Sequence, residues 1–163
     1  MRKIPETITE DELAKILQAT RKRSHAIAYM LGFYECMRVS EVVKLQPEHV
    51  DYGQRIIRIK QAKGNKDRNI PIHPVLMKKL KFLPLGSGIR AYQIAFKRIG
   101  KKVLGKDLHF HTLRHSGATY YLNKHHWSTR QVQVLLGHSK ITTTEIYTHV
   151  NPQDLIKLMW NEE

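Results

Sequence analysis

Towards the carboxyl end of the chain, imidazoles, an arginine and a tyrosine recur at close spacing. They read His111-Thr112-Leu113-Arg114-His115, then Leu136-Gly137-His138, then Tyr147-Thr148-His149. Arginine's planar fork matches the non-bridging oxygens of a phosphate better than any other side chain. Imidazoles donate hydrogen bonds or carry protons near neutral pH. A tyrosine hydroxyl relieved of its proton can attack as a covalent nucleophile. Any one of these residues means little, but the ordered set suits cleavage of a phosphodiester without a metal.

Holding such groups in place requires a scaffold, and the chain reads as mostly helical with one hairpin. Thr9 and Glu12 form a capping box ahead of Leu13, Ile16 and Leu17 at helical spacing. An apolar stripe of Ile27, Met30, Leu31 and Tyr34 predicts a helix over residues 24–37, and residues 40–45 read as a short helix ended by Pro47. Residues 55–60 and 68–72 read as strands, with Lys63-Gly64-Asn65-Lys66 supplying the turn of a β-hairpin. Pro74 is expected to open a helix through Leu83, and a basic helix over residues 90–104 follows the break at 84–88. Further helices are expected over 111–124 and 128–136, the second capped by Ser128 and Gln131 and stopped by Gly137. Thr142 and Glu145 make another capping box, which places Tyr147 early in a short helix, and residues 151–160 are amphipathic with Leu155, Leu158 and Met159 on one side. The class is therefore α+β, mainly α, with a small antiparallel sheet beside a helical bundle, and residues 1–163 form a single domain.

Charge narrows the partners. The 163 residues carry 28 Lys+Arg against 14 Asp+Glu, a net +14, and a hydrophobic share of 41% that is enough for one core. Such an excess favours a polyanion through steering and counterion release, so nucleic acid is the leading partner. Cys36 is the only cysteine, which excludes an intrachain disulfide and fits a reducing compartment. No long apolar run follows Met1-Arg2-Lys3, and nothing approaches the roughly 18 apolar residues of a membrane span, so a cytoplasmic protein without a membrane partner is expected.

Four stretches in series make the chain similar to the catalytic domain of the tyrosine recombinases, also called the phage integrase family. They are Met37-Arg38-Val39-Ser40-Glu41, Ala62-Lys63-Gly64-Asn65-Lys66-Asp67-Arg68, His111 through His115, and Leu136-Gly137-His138 with Tyr147. The resemblance runs from Thr9 to about Pro152. It implies that Arg38 and Arg114 grip the scissile phosphate, that Lys63 protonates the leaving 5′ oxygen, that His111 bonds the phosphate or assists proton transfer, and that His138 is a phosphate ligand. Tyr147 would be the nucleophile, with no cofactor and no metal. Glu41 reads as an orienting partner of Arg38 from three residues on. His111 and Arg114 would share one helix face, whereas His115 falls on another and reads as packing against the core or holding a loop.

The same resemblance implies double-stranded DNA carrying specific recombination sites as partner, a homotetramer on DNA and a monomer without it. Backbone phosphates are expected to meet Lys60, Lys66 and Arg68 in the hairpin, and Arg90, Lys97, Arg98, Lys101 and Lys102 on the basic helix. Some features depart from the family pattern. Glu35-Cys36-Met37 stands before Arg38 where many members have a threonine and a glycine, Ala62 replaces a common glycine, and the DNA-clamping domain that usually comes first is absent from these residues. Competing readings are a metal-dependent nuclease built on His109, His111 and His115, which lacks a nearby carboxylate, a non-catalytic DNA-binding accessory module of the same fold, and a relaxing enzyme that uses the same tyrosine chemistry.

Overall fold

The computed structural model describes residues 6–60, 67–137 and 152–162. Helix α1 (Glu10–Ala19) begins at the expected capping box: the Glu12 amide donates to the Thr9 hydroxyl at 3.2 Å and the Thr9 amide donates to the Glu12 carboxylate at 3.0 Å. Helix α2 (Arg23–Tyr34) is buried continuously from Ile27 onward, so it runs through the middle of the core. It stops three residues short of the expected Met37, because Cys36 turns to a positive φ of 52° and swings the chain out of the helix. Helix α3 (Val39–Lys44) follows, and Pro47 opens a separate 3-10 turn, Pro47–His49.

The sheet has three antiparallel strands in the order β1 (Val50–Asp51), β2 (Ile56–Ile59) and β3 (Arg68–Pro71). The expected hairpin is β2 with β3, in a register that pairs Ile57 with Ile70 and Ile59 with Arg68. The two-residue β1 carries too short a pattern to be read from sequence. Residues 74–83 do not form the expected helix. They make two 3-10 turns, Pro74–Leu76 and Leu80–Phe82, whose bonds run to the third residue back. Pro84 disfavours helix at Leu83, and the shorter hydrogen-bond step lets Leu76, Leu80 and Leu83 all face the core.

Helix α4 (Ile89–Leu104) buries Tyr92, Phe96 and Gly100 and leaves its cations outside, ending at Gly105 with φ 67°. Helix α5 (Phe110–Thr119) packs most extensively against α2. The approach is close: a Cβ at Gly117 would overlap the Phe33 carbonyl oxygen. The chain continues helically to Lys124, as expected, but with a wider π-type pitch over Tyr120–Lys124. Helix α6 (Thr129–Leu136) has the predicted Ser128–Gln131 capping box and ends at Gly137 in the left-handed region, φ 78°. The last helix, α7 (Pro152–Trp160), lies against β3 of its own chain. Its buried face is Leu155, Ile156 and Met159, while Leu158 is exposed, which corrects the expected apolar side. Trp160 donates its ring N–H to the Ile72 carbonyl at 2.8 Å, and the Arg55 guanidinium stacks 4.6 Å over the indole. Among the described residues no helix is long and apolar enough to cross a membrane.

Candidate active site

Two turns and one helix bring the site together. The turn after α2 presents Arg38 as the residue preceding α3, in extended conformation, with its side chain 43% exposed. Its amide donates to Glu41 Oε1 at 2.8 Å, which fixes the start of α3. From α5, Arg114 enters the interior and is only 5% exposed. Its Nη1 donates to the Cys36 carbonyl at 2.7 Å and its Nη2 to the Leu136 carbonyl at 2.9 Å. One guanidinium thereby ties the Arg38 turn to the end of α6, and backbone oxygens compensate part of its desolvation.

Burial, then the neighbouring Arg38 charge, pulls Arg114 down to about 10, so it remains cationic at neutral pH. Two like charges held this close repel each other, and a phosphate gaining negative charge is the partner that relieves them. His111 is exposed on the same helix as Arg114. Its basicity is lowered by partial burial first, then by His115, Arg114 and Arg38, which favours a neutral ring near pH 7. His115 does not pack into the core as expected. It is exposed and meets the His111 ring edge-on at 4.6 Å between centroids, because a spacing of four residues puts the two rings on one side of α5.

Glu41 does more than orient Arg38. Arg68 grips it from both terminal nitrogens, Nη1 to Oε2 at 2.7 Å and Nη2 to Oε1 at 3.2 Å, while the Arg38 guanidinium stands 3.6 Å away. Burial pushes the Glu41 carboxyl up, but the Arg68 fork, helped by the Arg38 amide and guanidinium, more than reverses this and the net shift is down. Arg68 was expected on the DNA backbone. The structure shows it 11% exposed with its fork on a carboxylate, an arrangement unlike an open phosphate ligand. Lys60 is exposed and paired with Asp67 at 3.6 Å. Arg90, Lys97, Arg98, Lys101 and Lys102 are all exposed on α4, with Lys97 paired to Asp107 at 3.4 Å.

Lys63, Lys66, His138, Tyr147 and the Thr142–Glu145 capping box lie outside the described residues. Several site features had no signal in the sequence. The Cys36 and Leu136 carbonyls that seat Arg114 are backbone acceptors, which no pattern of side chains marks. Glu35 is fully buried, its Oε1 accepting from the His73 amide at 2.6 Å and its Oε2 without a hydrogen-bond partner among the described residues. Burial holds that carboxyl well above the usual range and so favours its protonated form. No group of three or more His, Cys, Asp or Glu among the described residues is arranged to hold a metal ion.

The profile of the phage integrase family matches residues 6–83 and 89–154. A tyrosine recombinase of Pseudothermotoga lettingae is 33% identical over 94% of this chain and 59% of the relative. Among solved structures, an integrase from mycobacterium phage Brujita superposes with a TM-score of 0.82 at 21% identity, covering 100% of this chain and 60% of the other. A XerA recombinase superposes at 0.73 with 27% identity, covering 99% of this chain and 66% of the other. The chain spans about three fifths of the length of the curated relatives it matches.

Proposed function

Because the chain belongs to the phage integrase family, we propose that it is the catalytic domain of a site-specific DNA recombinase that cuts and rejoins strands through a 3′-phosphotyrosyl link. The observation that carries this reading is the convergence of Arg38, Arg114 and a weakly basic His111, with Arg114 seated on two backbone carbonyls. In the proposed reaction the Tyr147 oxygen attacks the scissile phosphorus. The P–O5′ bond breaks, the tyrosine proton leaves to a base such as His111, and Lys63 protonates the departing 5′ oxygen. Arg38, Arg114 and His138 hold the non-bridging oxygens, and fixed charges stabilise the pentavalent state without reorganising. The phosphodiester energy is kept in the tyrosyl link, so a 5′-hydroxyl from a second strand can reverse the step without ATP.

Double-stranded DNA with specific sites is the partner that this chemistry and the net charge of +14 favour. A homotetramer on two duplexes, a monomer without DNA and a cytoplasmic setting complete the proposal. The test uses a nicked duplex from the DNA flanking the coding sequence. A covalent protein–DNA adduct is expected on a denaturing gel, resistant to EDTA, and Tyr147→Phe is expected to lose it while duplex binding stays. An adduct that persists in Tyr147→Phe would reassign the nucleophile, and its absence in the parent protein would remove the reading.

A further inference from the structure

Arg68 occupies the point where the separate pieces of the site meet. It is the first residue of β3, pairs across the sheet with Ile59, and directly follows Asp67 at the end of the hairpin turn. Its two terminal nitrogens chelate Glu41, and the Oε1 that accepts from Nη2 at 3.2 Å also accepts from the Arg38 amide at 2.8 Å. The opposite edge of the guanidinium packs on Gly137. A Cβ there would stand 2.7 Å from Arg68 Cδ and Nε and 2.8 Å from Cζ, and Nε is buried without a hydrogen-bond partner among the described residues. The residue before that glycine, Leu136, gives its carbonyl to Arg114. Two arginines therefore meet the 136–137 turn, Arg114 at the Leu136 carbonyl and Arg68 at Gly137, directly ahead of His138 in the chain.

We propose that Arg68 is a positioning residue for strand cleavage, a planar clamp that locks Glu41 and the Arg38 turn against the Gly137 turn and so sets the bases of both segments that carry Lys63 and His138. Three geometric facts support this over a role in DNA contact: the fork is engaged with a carboxylate, the side chain is nearly buried, and its Cδ, Nε and Cζ crowd the place where a Cβ on residue 137 would stand. Gly137 is thus required twice, once for its positive φ and once for the guanidinium laid against it. The clamp depends on shape as much as on charge, because an ammonium can neutralise Glu41 but cannot chelate it and stack at once.

The inference rests on the proposed recombinase activity, and the experiment separates the two. Adduct formation on the nicked duplex is timed at saturating protein for the parent, Arg68→Gln, Arg68→Lys and Gly137→Ala, and duplex affinity is measured against salt. All assays run below each variant's thermal transition. Cleavage is expected to slow by about 100-fold in every variant, the cost of a small misplacement, with the slope of log affinity on log salt unchanged. Arg68→Lys should do no better than Arg68→Gln, and Arg68→Gln with Gly137→Ala should lose less than the two singles combined. A slope lowered by about one unit with parental cleavage would make Arg68 a phosphate ligand and overturn the clamp. Parental cleavage in Arg68→Lys, or full additivity with Gly137→Ala, would overturn it as well. A parent protein that forms no adduct removes the recombinase reading instead.

Discussion

A neutral histidine beside two arginines is the residue-scale feature with the clearest consequence. Burial and the charges of His115, Arg114 and Arg38 all disfavour the imidazolium form of His111, so its folded-state pKa lies below the ordinary value of 6.5. The ring therefore stays unprotonated as pH falls through 6.5 and gains its proton only at lower pH. If it takes the tyrosine proton, the acid limb of kcat/KM for adduct formation should inflect below pH 6.5, and His111→Gln should flatten that limb. An inflection at or above 6.5 in the free enzyme would sink the assignment. The same shift has a stability sign: native structure that favours neutral His111 is destabilised as pH drops, since the unfolded chain takes up the proton first. Arg38, His111 and Arg114 were legible from residue type and order alone. The role of Arg68 was not, because a basic residue in a hairpin looks the same in sequence whether it meets phosphate or a carboxylate from another element.

Among the elements, the α2–α5 crossing supports the site most directly, since α2 leads into the Arg38 turn and α5 carries His111 and Arg114. Gly117 lets the α5 backbone reach the Phe33 carbonyl and the Cys36 sulfur. Gly117→Ala has no space for its methyl and should separate the helices, at a cost of about 2 kcal/mol or more. For a chain of this size that corresponds to a fall in melting temperature of roughly 4–8 °C by circular dichroism. A melting point within a degree of the parent would refute the tight crossing. Capping boxes predicted two helix starts in the described chain because they are local: Thr9 with Glu12 and Ser128 with Gln131 satisfy amides one turn away. The segment 74–83 misled because Pro74 and its leucine spacing suit a helix, while the chosen hydrogen bonds depend on the core that Leu76, Leu80 and Leu83 share.

At the scale of the molecule, one face of α4 gathers exposed positive charge. Lys97 answers Asp107, whereas no ion pair among the described residues engages Arg90, Arg98, Lys101 or Lys102. If that face follows a DNA backbone, Arg98→Gln and Lys101→Gln should each lower the salt slope of duplex binding by about one unit. Lys97→Gln should change it less, its charge being partly met by Asp107. Unchanged slopes in all three would move the DNA path elsewhere. The last helix belongs to the same scale: α7 packs against β3 of its own chain, and Trp160 ties it to the Ile72 carbonyl just past that strand and to the Arg55 guanidinium ahead of β2.

Sequence alone determined the family, the mainly helical class, the hairpin and the helix caps, and it singled out Arg38, His111 and Arg114 as candidates. These follow from local rules and from residue types whose reactivity travels with them. Only the tertiary structure decided that Arg114 would sit on the Cys36 and Leu136 carbonyls, that Arg68 would chelate Glu41 against Gly137, and that His115 would lie beside His111. Such contacts join residues far apart in the chain, and backbone acceptors and packing faces leave no mark in the order of side chains.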